Sequence, residues 1–237
     1  MKKARAILHR PGLMEGRALA QCGFESGALA RAALHASRNP FSQDAWFNIS
    51  RLSVDATDAM ALGQAEILGR KQAWLAAAYL QAHVPGCEAG RLQAFATQVG
   101  IRETRRAEGE HILTAQDLMA PVAFDDAIAA GAYPIDIHPA QGGDLVYKAM
   151  DDDHAYQIPY RSLVPTQLDN AYVVGRGISA DHEALAAIRV MTISMAVGQA
   201  AGLAAAMACQ FSGPVSTRAV DIAALQQGLL RDGALLA

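Results

Sequence analysis

The sequence predicts a mixed α/β or α+β fold. Apolar residues recur at helical spacing over residues 64–83, Ile135 and Ile137 alternate with polar neighbours, and the run Ala171-Tyr-Val-Val-Gly175 is apolar and β-branched. Helical and strand patterns mix along the chain without the strict strand–helix–strand repeat of a doubly wound sheet, which places it in this class.

Residues 1–45 carry Gly12, Gly16, Gly23, Gly27 and Pro40 among short Ala-rich helical pieces such as Ala28–Ala36. The first clear element is a helix over Gln64–His83. Gly63 can serve as its N-cap with Glu66 three positions later, Ile67, Trp74, Leu75, Ala78, Tyr79 and Ala82 form a core-facing stripe, and Pro85-Gly86 ends it. Residues 97–113 read as two short strands around Glu108-Gly109, after which Thr114 caps a helical turn with Asp117 at its third position. Phe124–Ala130 is expected to form a short helix closed by Gly131. Ile135 and Ile137 mark a strand with one polar face, and 141–154, with Gly142-Gly143 and Asp151-Asp152-Asp153, reads as a loop. The run 171–175 is expected to be a buried strand leading into a Gly175-Arg176-Gly177 turn. A helix poor in bulky side chains follows within 190–211, and a terminal helix over 220–231 presents Ile222, Leu225 and Leu229 on one face.

Composition narrows the function. The 237 residues are 52% hydrophobic, enough for a buried core, and 20 basic against 23 acidic residues leave a net charge of −3 with no basic field for a nucleic-acid backbone. Cys22, Cys87 and Cys209 are odd in number and widely spaced, without a C-x-x-C pair, so neither a disulfide framework nor a zinc site is indicated and a reducing cytoplasm fits. The start, MKKARAILHRPGLMEG, lacks the apolar run of a signal peptide. Residues 190–211 are 22 without a formal charge and include Gly198-x-x-x-Gly202, long enough to span a bilayer. Their Ala-rich second half and the polar Thr192, Ser194, Gln199 and Gln210 weaken the transfer energy, so a buried helix of a soluble protein is expected.

Several ordered motifs point one way. Asp55-x-Thr57-Asp58 leads into Ala65-Glu66 and Gly69-Arg70; His83-Val-Pro-Gly86, the arginine-rich Gly100-Ile-Arg-Glu-Thr-Arg-Arg106, Asp136-Ile-His138 and Ile158-Pro-Tyr-Arg161 follow, and then residues 172–206. From about residue 46 onward this series resembles the FAD-dependent oxidoreductase family within the glutathione-reductase-like flavoproteins. The resemblance implies a partial flavoprotein fold, with residues 1–155 as a substrate (cap) domain portion and 156–237 as the C-terminal part of the FAD-binding domain. No G-x-G-x-x-G turn of the kind that opens such enzymes occurs here. The chain therefore reads as a C-terminal fragment or subunit, with FAD as the cofactor of the complete enzyme and weak or no FAD binding by this chain alone.

A flavin enzyme must hold the isoalloxazine and stabilise charge growing at its pyrimidine end, which backbone N–H groups at a helix start can do. By resemblance, Gly175, Arg176, Gly177 and Ser179 meet the pyrophosphate and ribityl chain, Thr192 begins the helix beneath the flavin, and Gly198, Gln199 and Gly202 lie along it. For the glycines the alternative is packing against a sheet. Arg189, a charge in an apolar run, either pairs with Glu183 or approaches the cofactor. On the substrate side the resemblance brings Arg102, Arg105, Arg161, His138 and His182 nearest the flavin, as anion-binding groups and as a general base, with surface ion pairing as the alternative for each. The implied reaction moves a hydride between a small polar substrate and flavin. The competing reading is a non-catalytic remnant or binding subunit that docks a partner. A separate N-terminal dinucleotide-binding chain or self-association are the protein partners considered, and no metal, nucleic acid or membrane is expected.

Overall fold

The computed structural model describes residues 14–42, 44–120, 122–137, 146–151, 154–210 and 213–236. Those up to Ile101 form one compact unit and those from Arg102 onward another. Together they have the α+β character that the sequence predicts: six α-helices and three two-stranded antiparallel sheets among the described residues.

The first unit contains α1 (Met14–Glu25), a hairpin of β1 (His35–Arg38) and β2 (Ala45–Asn48) paired from His35↔Asn48 to Arg38↔Ala45, and α2 (Ala59–His83). The helical piece suggested over 28–36 is absent; those residues are a bend, a short irregular stretch and the start of β1. Helix α2 begins before Gln64 because Asp58, a stronger cap than Gly63, accepts from the Met60 N–H at 2.8 Å. Its spacing is helical as predicted, but the buried face is the one with small side chains. Ala65, Gly69, Ala76, Tyr79 and Leu80 face inward, while Ile67 and Trp74 stay 70% and 60% exposed. Small residues allow close approach: a methyl on Gly69 would sit 3.4 Å from Val99 and 3.6 Å from Leu52.

The Asp-x-Thr-Asp and Glu-x-x-x-Arg motifs hold local structure. Asp55 accepts from the N–H and hydroxyl of Thr57 at 2.9 and 2.7 Å, while Glu66 takes the Val99 N–H at 2.7 Å and pairs with Arg70 one turn on. The core gathers Leu29, Ile49, Ala76, Tyr79, Leu80 and Val84, with the Tyr79 hydroxyl donating to the Leu19 carbonyl at 2.7 Å. A methyl on Gly23 would lie 2.6 Å from Leu29 Cδ1 and 2.8 Å from Tyr79 Cε1. Gly23→Ala should therefore cost about 1–3 kcal/mol by overpacking, read as a lower midpoint in denaturant. Gly63→Ala, with open space around it in a helix interior, should gain about 0.5–1 kcal/mol.

In the second unit, α3 (Ala115–Met119) has the predicted capping box: Thr114 Oγ1 accepts from the Asp117 N–H at 3.2 Å and Asp117 accepts from the Thr114 N–H at 2.8 Å. The segment 97–113 forms no strands. Ala107 N–H donates to the Gly177 carbonyl at 2.8 Å, Glu110 to Val164 at 3.0 Å and Leu113 to Ser179 at 3.1 Å, so its donors are divided between two loops and only isolated bridges result. The expected helix over 124–130 is instead a turn at Asp125-Asp126 followed by β3 (Ala127–Gly131), paired antiparallel with β6 (Tyr156–Pro159) from Ala127↔Pro159 to Gly131↔Tyr156. Its buried alanines make room for a helix laid across the strand, and that packing overrides their helical propensity. Strand β4 (Ile135–Ile137) forms as expected and pairs with β5 (Val146–Lys148), which lies in the region read as loop.

Residues 171–174 are not a buried strand. The Val173 N–H donates to the Leu163 carbonyl at 2.9 Å, but no strand among the described residues pairs with this run, and Val174 is exposed. A 3-10 turn at Gly175–Gly177 follows, then α4 (His182–Ile188), α5 (Met191–Ala208) and α6 (Ile222–Arg231). Helix α5 lies on β3, α6 and the 175–177 turn and buries Ile193, Val197, Ala200, Ala201, Ala204 and Ala208. It is long and apolar enough by length and composition to cross a membrane.

Candidate functional site

A shallow pocket of about 410 Å³, wide open to solvent, lies where β3, the turn after it and the first turn of α5 meet, lined by residues 130–134, Thr192 and Ile193. That is within the size range of small-molecule sites. The four helices that begin after Asp58, Thr114, Asp181 and Asp221 are capped by those side chains. Helix α5 starts after Val190, with no side-chain cap and no acidic residue in its first turn. Its leading N–H groups and the positive end of an 18-residue helix therefore have no capping acceptor where the cavity opens.

Gly131 sets the floor. A methyl there would fall 2.6 Å from Tyr156 Cε2 and 2.8 Å from Ile193 Cδ1, so only glycine lets β3 pass under the start of α5. Burial pushes the Tyr156 phenol well above its usual range, and its hydroxyl donates to the Tyr133 carbonyl at 3.2 Å. That bond ties the cavity turn to the core.

Arg189 lies two residues before α5 and does not pair with Glu183, which is held by Lys148 at 2.6 Å. Its Nη2 donates to the Asp136 carbonyl at 2.8 Å. Burial, and then the neighbouring Arg102 charge, hold its guanidinium below the usual arginine range, while Asp136 acts in the other direction. The Tyr133 phenol is raised by burial and next by Asp136, with Arg189 and Arg102 opposing. The charges of Arg102, Arg189 and Asp136 thus all act on the Tyr133 phenol, which lines the pocket.

The other predicted residues lie elsewhere. Arg161 braces the turn before β3: its Nε donates to Asp126 Oδ2 at 2.9 Å, Nη2 to Asp126 Oδ1 at 3.1 Å and its backbone N–H to Oδ2 at 2.9 Å, with Asp125 at 3.3 Å. His182, the first residue of α4, has Nδ1 at 2.6 Å from Glu103 Oε2, and Glu103 is also paired with Arg106. Arg105 is exposed, and His138 lies outside the described residues. Gly175 has φ +64°, the left-handed conformation that favours glycine, and the exposed Arg176 follows it in a turn packed on α5. Ser179 is fully buried against Gly109 and does not reach the surface. A methyl added at Gly198 or Gly202 would have nothing within 4 Å, so no close approach is made to either by the described residues, and Gln199 is exposed beside them.

That open face yields a simple comparison. Gly202→Val should leave the isolated chain at least as stable as the parent, whereas Ala208→Val, in the core, should lose about 1–3 kcal/mol in a thermal or denaturant melt.

Tyr133 and Gly131 are not among the residues that sequence reasoning selects. The only signal for them is a small-residue strand ending in Gly-Ala-Tyr-Pro, which reads instead as a helix stop.

Residues 16–229 match the family model described as FAD dependent oxidoreductase. The chain belongs to the FAD-dependent oxidoreductase family. No match was found among curated proteins or among solved structures. For a member of this family, the cavity and the uncapped start of α5 fit the pyrimidine end of a flavin: neutral backbone donors, a hydroxyl at Thr192 and no carboxylate in the helix's first turn.

Proposed function

We propose that this chain is a C-terminal portion of an FAD-dependent oxidoreductase of the glutathione-reductase-like kind, moving a hydride between a small polar substrate and flavin. The observation that carries the reading is the uncapped first turn of α5 beside an open pocket, in a chain of this family. FAD, when bound, supplies the two-electron carrier. The first-turn N–H groups of α5 and the Thr192 hydroxyl would hold its pyrimidine end, and the 175–177 turn would meet its ribityl and phosphate part. Residues 156–237 would then act as the cofactor-domain return and the preceding part as the cap. His182, held by Glu103 on the surface, does not line that pocket and is given no role there. With Arg161 committed to Asp126, Arg102 and Arg189 are the cationic groups whose charges lower the Tyr133 phenol. A cytoplasmic setting completes the reading.

The pyrophosphate and adenosine contacts belong, in this proposal, to a G-x-G-x-x-G segment carried on another stretch of polypeptide. Equilibrium dialysis of this chain with FAD should show weak binding, and the purified protein should be colourless. Tight, stoichiometric retention of FAD would contradict the assignment of those contacts elsewhere. A second reading, a docking subunit without its own chemistry, draws support from Met191 and Met195, 81% and 72% exposed on the face of α5 that also carries Gly198 and Gly202.

A further inference from the structure

The residues that line the pocket, 130–134 with Thr192 and Ile193, carry no formal charge. Burial holds the Tyr133 phenol above its usual range, so it stays neutral. A compact anion would find no cation among these side chains, and a pocket this open does not enclose a ligand from all sides. What the lining offers is a floor of small side chains at Ala130, Gly131 and Ala132, the first turn of α5, and an aromatic ring.

That ring is presented from a fixed main chain. The Tyr133 carbonyl accepts from the hydroxyl of the fully buried Tyr156 at 3.2 Å. Pro134 follows and confines Tyr133 to extended backbone, and Ile135 beyond it is fully buried in β4. Tyr133 itself remains 39% exposed, and it is the one aromatic residue among those described that lines the pocket. Aromatic faces attract one another by offset stacking, a contribution open to a one-sided site where enclosure and ion pairing are not. We propose that Tyr133 contacts the cofactor, its ring stacking against the isoalloxazine of a flavin whose pyrimidine edge meets the first-turn N–H groups of α5. The inference rests on the reading of this pocket as the flavin site, and it adds the residue that selects an extended aromatic ring over a compact anion.

The test uses the 237-residue chain and riboflavin, which has the ring and no phosphate, followed by NMR. Expected are saturable amide shifts at Met191–Ile193, upfield shifts of the Tyr133 ring protons, and NOEs from them to the flavin ring. Tyr133→Leu keeps apolar bulk without the aromatic face and should weaken riboflavin about three- to tenfold, whereas Tyr133→Phe keeps the face and should stay within about twofold of the parent. Inorganic phosphate, titrated separately at constant ionic strength, should give no saturable shift at Met191–Ile193. Unchanged affinity in Tyr133→Leu, an equal loss in Tyr133→Phe, or riboflavin bound without contact to the Tyr133 ring would overturn the proposal and leave the flavin site standing. The NOEs in the parent chain decide the matter if Tyr133→Leu does not fold. No riboflavin response at Met191–Ile193, or saturable phosphate binding there, would remove the flavin reading and the proposal with it.

Discussion

Arg161→Ala should destabilise the second unit by about 2–3 kcal/mol, the range for removing hydrogen bonds to a charged group and leaving it unsatisfied. The Asp126 carboxylate is only 8% exposed and takes three of its hydrogen bonds from Arg161, one from the backbone and two from the guanidinium. Truncating the side chain removes two of them and strands a nearly buried negative charge beside β3. His182→Ala, by contrast, removes an exposed ring from a surface pair and should change stability by less than about 0.5 kcal/mol. Chemical denaturation of the two variants against the parent chain separates a bracing role from a surface one.

The same pair predicts an acid limb. Burial alone would raise the Asp126 carboxyl, but its bonds to the Arg161 side chain and backbone outweigh that and hold it below the usual carboxylate range. A group that titrates lower when folded than when unfolded adds stability above its unfolded value of about 3.9, and that stability is lost as pH falls through the folded value. Asp126→Asn should flatten this limb of the stability profile while lowering the plateau at neutral pH.

Gly131→Val should be the most damaging single change at the cavity. Its Cβ alone would lie 2.6 Å from Tyr156 Cε2 and 2.8 Å from Ile193 Cδ1; Tyr156 is fully buried, and Ile193 begins the core face of α5. The overpacking should cost about 3 kcal/mol and displace the first turn of α5 from the strand. Gly202→Val, the same chemical change on the open face of that helix, is the control and should be tolerated. Thermal melts of both variants give the comparison, and equal melting points would show that β3 and α5 are not locked through Gly131.

Local chemistry is readable from the sequence and tertiary partnership is not. Thr114 with Asp117 forms its capping box, α5 and α6 lie where their patterns put them, and β4 follows the alternation of Ile135 and Ile137. Each of these depends on residues within a turn or a strand of one another. Residues 124–131 depart from expectation because alanine favours a helix in isolation, whereas here it serves as the small residue that lets α5 cross β3. Residues 171–175 depart in the opposite sense: β-branched side chains promise a strand, but no ladder partner lies beside them among the described residues. The stripe of Ile67, Trp74 and Leu75 on α2 shows its period and conceals its direction, because an exposed apolar face and a buried one have the same spacing. Arg189 and Thr192 stand out by their place next to a Gly/Ala helix, while Gly131 and Tyr133, which form the other wall of the cavity, come from a segment whose composition favours a helix over the strand it forms.

If the start of α5 and the turn after β3 form the flavin end of the site, both segments should respond to added flavin. Amide NMR of this chain, titrated in parallel with FMN and FAD, tests it most directly. Weak, saturable shifts confined to Ala130–Tyr133 and Met191–Ile193 are expected, with FAD binding no tighter than FMN if another stretch of polypeptide holds the adenosine half. Shifts centred elsewhere, none at either segment, or a strong preference for FAD would contradict it.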